Sequence, residues 1–255
     1  MEEVILYTNA DVPHEITQAA GKYTKLLPQG ETFLTYICYP RAYLNHLPCS
    51  VIKYCEEDEF PQIFTQVANN PHPTREDRII YLSELLHAYR RMESALAIAS
   101  DTILIGPQRE GALLIRELGW DKKAKRTLFP HAKRIPYQKG LVVGLGDIQL
   151  EVGETKAVIV DGAIASAATL MAIMSLLRAK GTKEIEIYSV HGTEKGLCNL
   201  DQFAQENDIQ LAIHIAYVSG ILNEKYYAVY PYDPSTLVIG DLGDTIAVLF
   251  DSTST

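Results

Sequence analysis

The stretch that most constrains the fold runs from Ala157 to Gly181, AVIVDGAIASAATLMAIMSLLRAKG. An apolar run, Ala157 to Val160, ends in one carboxylate, Asp161. Small residues follow from Ala163 to Ala168, and then an amphipathic run with Leu170, Ile173, Leu176 and Leu177 at helical spacing. Gly181 stands where a helix stop is favoured. The pattern predicts strand, loop and helix. Such a loop turns backbone N–H groups and a positive helix end toward one point beyond the strand, a point that attracts phosphate. A carboxylate at the strand tip can accept hydrogen bonds from sugar hydroxyls. One short segment can thus hold a sugar phosphate from both ends.

The rest of the chain repeats the alternation. A helix is expected after Thr74, which with Asp77 forms a capping-box variant. Its core-facing stripe is read as Ile79, Leu82, Leu85, Leu86, Tyr89, Met92 and Leu96, running to about Ser100. Strands are expected over 102–106, 141–145, 157–161, 184–190 and 211–218, and helices over 111–118, 168–180 and 199–206. This order predicts an α/β fold with a doubly wound, mainly parallel sheet. The breaker cluster Asn69-Asn70-Pro71-His72-Pro73 divides the chain. Residues 1–72 then form an N-terminal α+β extension, with strands over 4–8, 32–39 and 50–55 and a helix over 15–27. Residues 73–255 form the main domain.

Composition narrows the partners. A net charge of −9 argues against a general nucleic-acid binder. The basic cluster Lys122, Lys123, Lys125 and Arg126 is read as a solvated face. No apolar run reaches transmembrane length and no signal peptide opens the chain, so a cytoplasmic protein with no membrane partner is expected. Cys38, Cys49, Cys55 and Cys198 form no C-x-x-C pair and are read as reduced thiols. The histidines show no metal spacing; His72, His131 and His214 suit turn and packing roles, and no protein metal site is expected. Gly144-Leu145-Gly146-Asp147 lacks the third glycine of a dinucleotide fingerprint.

In doubly wound sheets, ligands gather beyond the carboxyl ends of the strands. Three loops fall there. The first, Gly106-Pro107-Gln108-Arg109-Glu110-Gly111, offers a guanidinium fork for a diphosphate and a glycine for close approach. The second is the Asp161–Thr169 loop. The third combines Ser219 to Tyr227 with Gly240-Asp241-Leu242-Gly243-Asp244, whose backbone could face a planar heterocycle.

Together these loops resemble the type I phosphoribosyltransferases, and among them the uracil enzymes. The family's acid-led phosphate loop is similar to Val160 to Thr169, and its R-A-G loop to Arg109-Glu110-Gly111. The L-N-E-x-x-Y element matches Leu222-Asn223-Glu224 and Tyr227, and the G-D-A-G-D element matches Gly240 to Asp244. The motifs agree in order from about residue 74 to 246.

The resemblance implies transfer of a phosphoribosyl group from phosphoribosyl pyrophosphate to a nucleobase, most simply uracil, in pyrimidine salvage. It implies Asp161 and Arg109 as catalytic residues. Phosphoribosyl pyrophosphate would be held by Arg109, Glu110, Gly111, Asp161, Ala165, Ser166, Ala167, Ala168 and Thr169. The base would be held by Tyr227, Ala228, Val229, Gly240 and Asp241. It further implies substrate-bound Mg²⁺ and a homo-oligomer. One departure bears on all of this: the family's two loop glycines are replaced by Ala167 and Ala168. A positive φ at either would cost roughly 1 kcal/mol or more. A degenerate relative acting as nucleotide sensor or assembly partner is the alternative.

Overall fold

The structure is a computed structural model that describes residues 5–7, 33–38, 47–56, 59–96, 98, 101–108, 110–137, 140–146, 148–151 and 155–239. In chain order the strands are β1 (Ile5–Tyr7), β2 (Phe33–Cys38), β3 (Val51–Lys53), β4 (Ile103–Ile105), β5 (Arg126–Leu128), β6 (His131–Tyr137) and β7 (Gly140–Gly146). They continue as β8 (Lys156–Val160), β9 (Ala163–Ile164), β10 (Glu184–Gly192), β11 (Gln210–Val218), β12 (Ile221–Leu222), β13 (Ala228–Tyr230) and β14 (Asp233–Leu237). The helices are α1 (Gln62–Asn69), α2 (Arg75–Met92), α3 (Glu110–Glu117), α4 (Ala168–Ala179) and α5 (Glu194–Glu206). The helix expected over 15–27 lies outside the described residues.

A seven-stranded sheet organises the molecule, in the order β3-β11-β10-β8-β4-β5, with the short β9 also on β10. Every pairing in it is parallel. Parallel sheets require cover on both faces, and alternate side chains provide it. Ile103, Ile105, Ala157, Ile159, Ile185, Ile187, Ile213 and Ile215 pack with Leu170, Ile173 and Leu177 of α4 and Leu197, Leu200 and Phe203 of α5. The residues between them, Leu104, Val158, Val160, Tyr188 and Val190, pack with Tyr81, Leu85, Tyr89 and Met92 of α2 and Leu114 and Ile115 of α3. The expected α/β fold with a doubly wound parallel sheet is thereby present.

Two sequence readings are corrected by the pairing. The strand expected over 141–145 exists as β7, but it does not join the parallel sheet. It lies between β2 and β6 in a separate antiparallel sheet, β1-β2-β7-β6. Val143 and Leu145 pack on the same core as α4. This second cover changes α4 as well. The helix reads as amphipathic in sequence, yet Ala168, Leu170 to Met174, Leu176 and Leu177 are all buried. A helix clad on several sides becomes apolar nearly all round.

The capping box at Thr74 and Asp77 forms as expected, with each partner bonded to the other's backbone. The stripe on α2 is rotated, however. Tyr81, Leu85, Ala88, Tyr89 and Met92 are buried, whereas Ile79 is 52% exposed and Ile80 43% exposed. The two exposed isoleucines near the start of the helix are tolerated because the tyrosines, with larger apolar bodies, carry the packing. The helix also stops at Met92 and tightens into a 3₁₀ turn, Glu93–Ala95, short of the expected Ser100.

Strand pairings cross the boundary expected near residue 72. β3 pairs with β11 at the edge of the parallel sheet, and Tyr54 and Cys55 extend the ladder by donating to the carbonyls of Ile215 and Ala216. β2 pairs with β7 over six residue pairs, Phe33 to Cys38 against Leu145 to Gly140. Thr65 and Asn69 of α1 bond to the carbonyls of Val238 and Leu237.

Candidate active site

Two loops meet at the carboxyl edge of β4 and β8. At the tip of β8, Asp161 is half-buried, and its N–H donates to the Tyr188 carbonyl at 3.0 Å, which continues the ladder past the strand. Its Oδ1 accepts from the next amide, Gly162 N–H, at 3.0 Å. Its carbonyl accepts from the Tyr89 hydroxyl of α2 at 2.7 Å. Tyr89 is fully buried, and burial, with the Glu110 and Asp161 charges, raises its pKa well above the phenol value. Tyr89 therefore stays a neutral donor and fixes the strand tip.

The loop beyond Asp161 is held from behind. The Gly162 carbonyl accepts from Val190 and His191 N–H of β10, at 3.1 and 3.2 Å. β9 then pairs with the end of β10. Thr193, the N-cap of α5, donates its N–H to the Ile164 carbonyl at 2.9 Å and its hydroxyl to the Ala165 carbonyl at 2.6 Å. Asn199 Nδ2 donates to the Ser166 carbonyl at 3.2 Å.

Ala167 follows with φ 66° and ψ 8°, the left-handed region, and serves as N-cap of α4. An alanine there costs roughly 1–3 kcal/mol. Its replaced neighbour behaves differently: Ala168 is the first residue of α4, where alanine is the best helix former. Of the two alanines, only Ala167 meets the cost of a positive φ. No side-chain cap covers the α4 N-terminus, and the Ser166 hydroxyl is buried with no partner among the described residues. Thr169 is half-buried in the first turn. Uncapped first-turn N–H groups, the positive helix end and a buried hydroxyl are features suited to accepting an anion.

The first loop packs directly on the second. Gly106 N–H donates to the Leu128 carbonyl and Gln108 N–H to the Pro130 carbonyl, both at 2.9 Å. A Cβ on Gly111 would overlap the Val160 carbonyl oxygen, so only glycine fits there. A Cβ on Gly162 would overlap the Glu110 carboxylate, which shows how closely that acid lies to the loop after Asp161. Glu110 is 9% exposed in the first turn of α3. Glu110 and Gly111 are thereby brought against the end of β8 and the start of the loop after it, at Val160 and Gly162 on either side of Asp161. Arg109 lies outside the described residues.

The third loop is built differently. Ser219 N–H donates to the Gly192 carbonyl at 3.1 Å. His191 Nε2 lies 3.0 Å from the Ser219 carbonyl and 3.1 Å from its hydroxyl. A carbonyl can only accept, so that bond takes the proton on Nε2 and leaves Nδ1, which is buried with no partner among the described residues. Burial pushes this imidazole down to about 4, against the opposing pull of its bond to Ser219. Asn223 organises the turn by accepting from Lys225 and Tyr227 N–H, each at 3.0 Å. Tyr227 is 38% exposed at its end. Ala228 and Val229 sit in β13, the middle strand of the antiparallel sheet β12-β13-β14, where pairing on both sides uses their backbone. Gly240 and Asp241 lie outside the described residues.

Three features of the site escape the sequence reading: the Tyr89 contact, the Glu110–Gly162 approach and the Thr193–Asn199 support. The last had a local signal. Thr193 precedes a helix and caps Gly196 N–H at 3.0 Å, whereas the helix was expected only from Asn199. The basic cluster is placed at the surface, with Lys122, Lys123 and Lys125 exposed. His214 packs inside β11, stacked on Tyr188 with ring centroids 4.3 Å apart, in the role expected of it.

No family model matches the sequence, and no curated protein matches it. Among solved structures, the chain is similar to the AQ2163 protein from Aquifex aeolicus, with a TM-score of 0.51 at 17% identity, over 77% of this chain and 97% of that one. Weaker overlap is found with two enzymes. Adenine phosphoribosyl transferase from Trypanosoma brucei, in complex with AMP, pyrophosphate and ribose-5-phosphate, gives 0.47 at 13% identity, over 74% of this chain and 95% of that one. Adenine phosphoribosyltransferase from Leishmania donovani gives 0.44 at 14% identity, over 80% and 98%. The first likeness extends to the fold. Among the described residues, no helix is long and apolar enough to cross a membrane.

Proposed function

We propose that the protein is a phosphoribosyltransferase that binds phosphoribosyl pyrophosphate at the Asp161–Thr169 loop and passes the phosphoribosyl group to a nucleobase, with uracil the first candidate. One observation carries the reading: in the loop that follows the strand-tip carboxylate Asp161, a left-handed Ala167 opens α4 beside the Ser166 hydroxyl, which is buried with no partner among the described residues. Strain kept in a loop needs a reason, and a phosphate seat supplies one. The order of the sequence motifs supports the same reading.

In this reading Asp161 accepts from the ribose hydroxyls. Ser166, Thr169 and the backbone from Ala165 to Ala168 hold the 5′-phosphate. Arg109 and the Gly111 turn face the leaving diphosphate. Tyr227, with Gly240 and Asp241, faces the base, while Ala228 and Val229, their backbone taken up by pairing in β13, back that side of the site. The nucleobase nitrogen attacks ribose C1 as the C1–O bond to pyrophosphate breaks, and the proton of that nitrogen passes to the departing pyrophosphate or to water. Asp161 and Glu110 offer the hard oxygen donors that suit a hydrated Mg²⁺, and such an ion, carried by the diphosphate, supplies charge neutralisation. Alignment and electrostatic support of the cationic ribose would provide most of the acceleration.

A second reading rests on Glu110. Its carboxylate lies against Gly162, between the two loops that would share a diphosphate. A sensor that binds a nucleoside monophosphate without turnover tolerates that acid better. Incubation with phosphoribosyl pyrophosphate, Mg²⁺ and each common nucleobase separates the two. Release of pyrophosphate with one base supports the transferase; binding of the monophosphate, with no pyrophosphate released in the presence of any base, supports the sensor.

A further inference from the structure

We propose that Thr193 and Asn199 are positioning residues that replace the missing loop glycine by clamping the phosphate loop from behind; the ligand side of this inference rests on the reading above. Three successive carbonyls face α5. The Ile164 carbonyl accepts from Thr193 N–H at 2.9 Å, the Ala165 carbonyl from the Thr193 hydroxyl at 2.6 Å, and the Ser166 carbonyl from Asn199 Nδ2 at 3.2 Å. In a trans peptide the C=O and the following N–H point in opposite directions. Pinning these carbonyls toward α5 therefore turns the N–H groups of Ala165, Ser166 and Ala167 away from it. They join the uncapped first turn of α4 in one concave run of donors, which suits an anion.

The clamp is itself rigid. Thr193 is fully buried and Asn199 is 5% exposed. The Thr193 hydroxyl works twice: it accepts from Gly196 N–H at 3.0 Å and donates to Ala165, so the start of α5 and the loop share one atom. Gly196 has no side chain to hold the loop off, since a Cβ there would overlap the Ala165 carbonyl oxygen. A glycine at 167 would enter the left-handed region unaided. Alanine does not, and the three tethers over-determine its neighbours so that it stays there.

The test is a thermal-unfolding cycle on the full chain, read again as affinity for ribose 5-phosphate. Against the intact clamp, Ala167→Gly relieves strain and raises Tm by about 2 °C, the relief exceeding the entropy lost with glycine. With Asn199→Leu, or with Thr193→Val added, the loop relaxes; Ala167→Gly then brings only its entropy cost and lowers Tm by a similar amount. The single Asn199→Leu background keeps the cycle readable if the double variant does not fold. Equal Tm shifts in both backgrounds overturn the clamp. In the binding arm, Asn199→Leu weakens ribose 5-phosphate about tenfold, Ala167→Gly restores most of that loss, and Thr193→Ser behaves as the parent. Weakening that Ala167→Gly does not recover also overturns it. Absence of ribose 5-phosphate binding by the parent protein defeats the functional reading alone, and the Tm cycle still decides the clamp.

Discussion

The loops after β4 and β8 lie against each other, and both bring backbone into close approach, yet they do so by opposite means. The first depends on space. Gly111 sits where any Cβ would overlap the Val160 carbonyl, and Gly106 where it would overlap the backbone of Gly111. The second depends on angle. Ala167 holds φ 66° despite its methyl group, with the preceding carbonyls fixed by Thr193 and Asn199. A disallowed space admits no substitute, whereas a disfavoured angle can be enforced by neighbours at a cost of a few kcal/mol. Replacing glycine is therefore survivable in the second loop and not in the first.

The largest expected effect breaks the first loop. Gly111→Ala drives a methyl group into backbone that cannot move without parting β8 from α3, and should cost about 3 kcal/mol or more. Urea unfolding measures it, and a cost below 1 kcal/mol would mean that the two loops are not in contact.

Next in size is a pH effect on the support of the second loop. His191 N–H donates to the Gly162 carbonyl while its ring is buried and held neutral, with a pKa near 4. In the unfolded chain it titrates near 6.5, so between those values the unfolded state binds more protons. Stability is complete above pH 6.5 and falls as pH drops toward 4, by roughly 3 kcal/mol in all. His191→Gln should flatten this slope in unfolding curves taken from pH 7.5 to 4.5; an unchanged slope would assign the loss to other groups.

A smaller effect separates side chain from backbone as the obstacle. Gly162→Ala meets only the far end of Glu110, which can swing, and should cost about 1 kcal/mol. Adding Glu110→Ala should recover most of it. No recovery would place the obstruction in the backbone. The smallest effect is a gain: Ala167→Gly should add about 0.5–1 kcal/mol, strain relief less the entropy of glycine. A loss would mean that Ala167 is not strained.

The parts legible in sequence were local ones. The β8–loop–α4 unit was readable because an apolar run, an acid, small residues and a helical stripe follow one another within 25 residues. The parts missed needed partners distant in sequence. β3 is three residues long, and only its pairing with β11 makes it part of the main sheet. β5 and β6 carry Arg126, Lys133, Arg134 and Pro136, which mask the strand pattern. The start of α5, Glu194-Lys195-Gly196, is polar and contains a glycine, so its sequence resembles a loop, and only the Thr193 cap marks it as helix. In the site, Asp161 and the turn are legible as residues, but which of the two alanines is left-handed is not: Ala167 is, whereas Ala168 is already helical.

Whether the second loop is a phosphate seat is tested most directly by calorimetric titration of the protein with phosphoribosyl pyrophosphate and Mg²⁺, alongside the Asp161→Ala variant. Micromolar binding that weakens at least about tenfold in the variant, the loss of a charged hydrogen-bond acceptor, is the predicted result. No heat of binding with the parent protein, or equal affinity in the two, would contradict it.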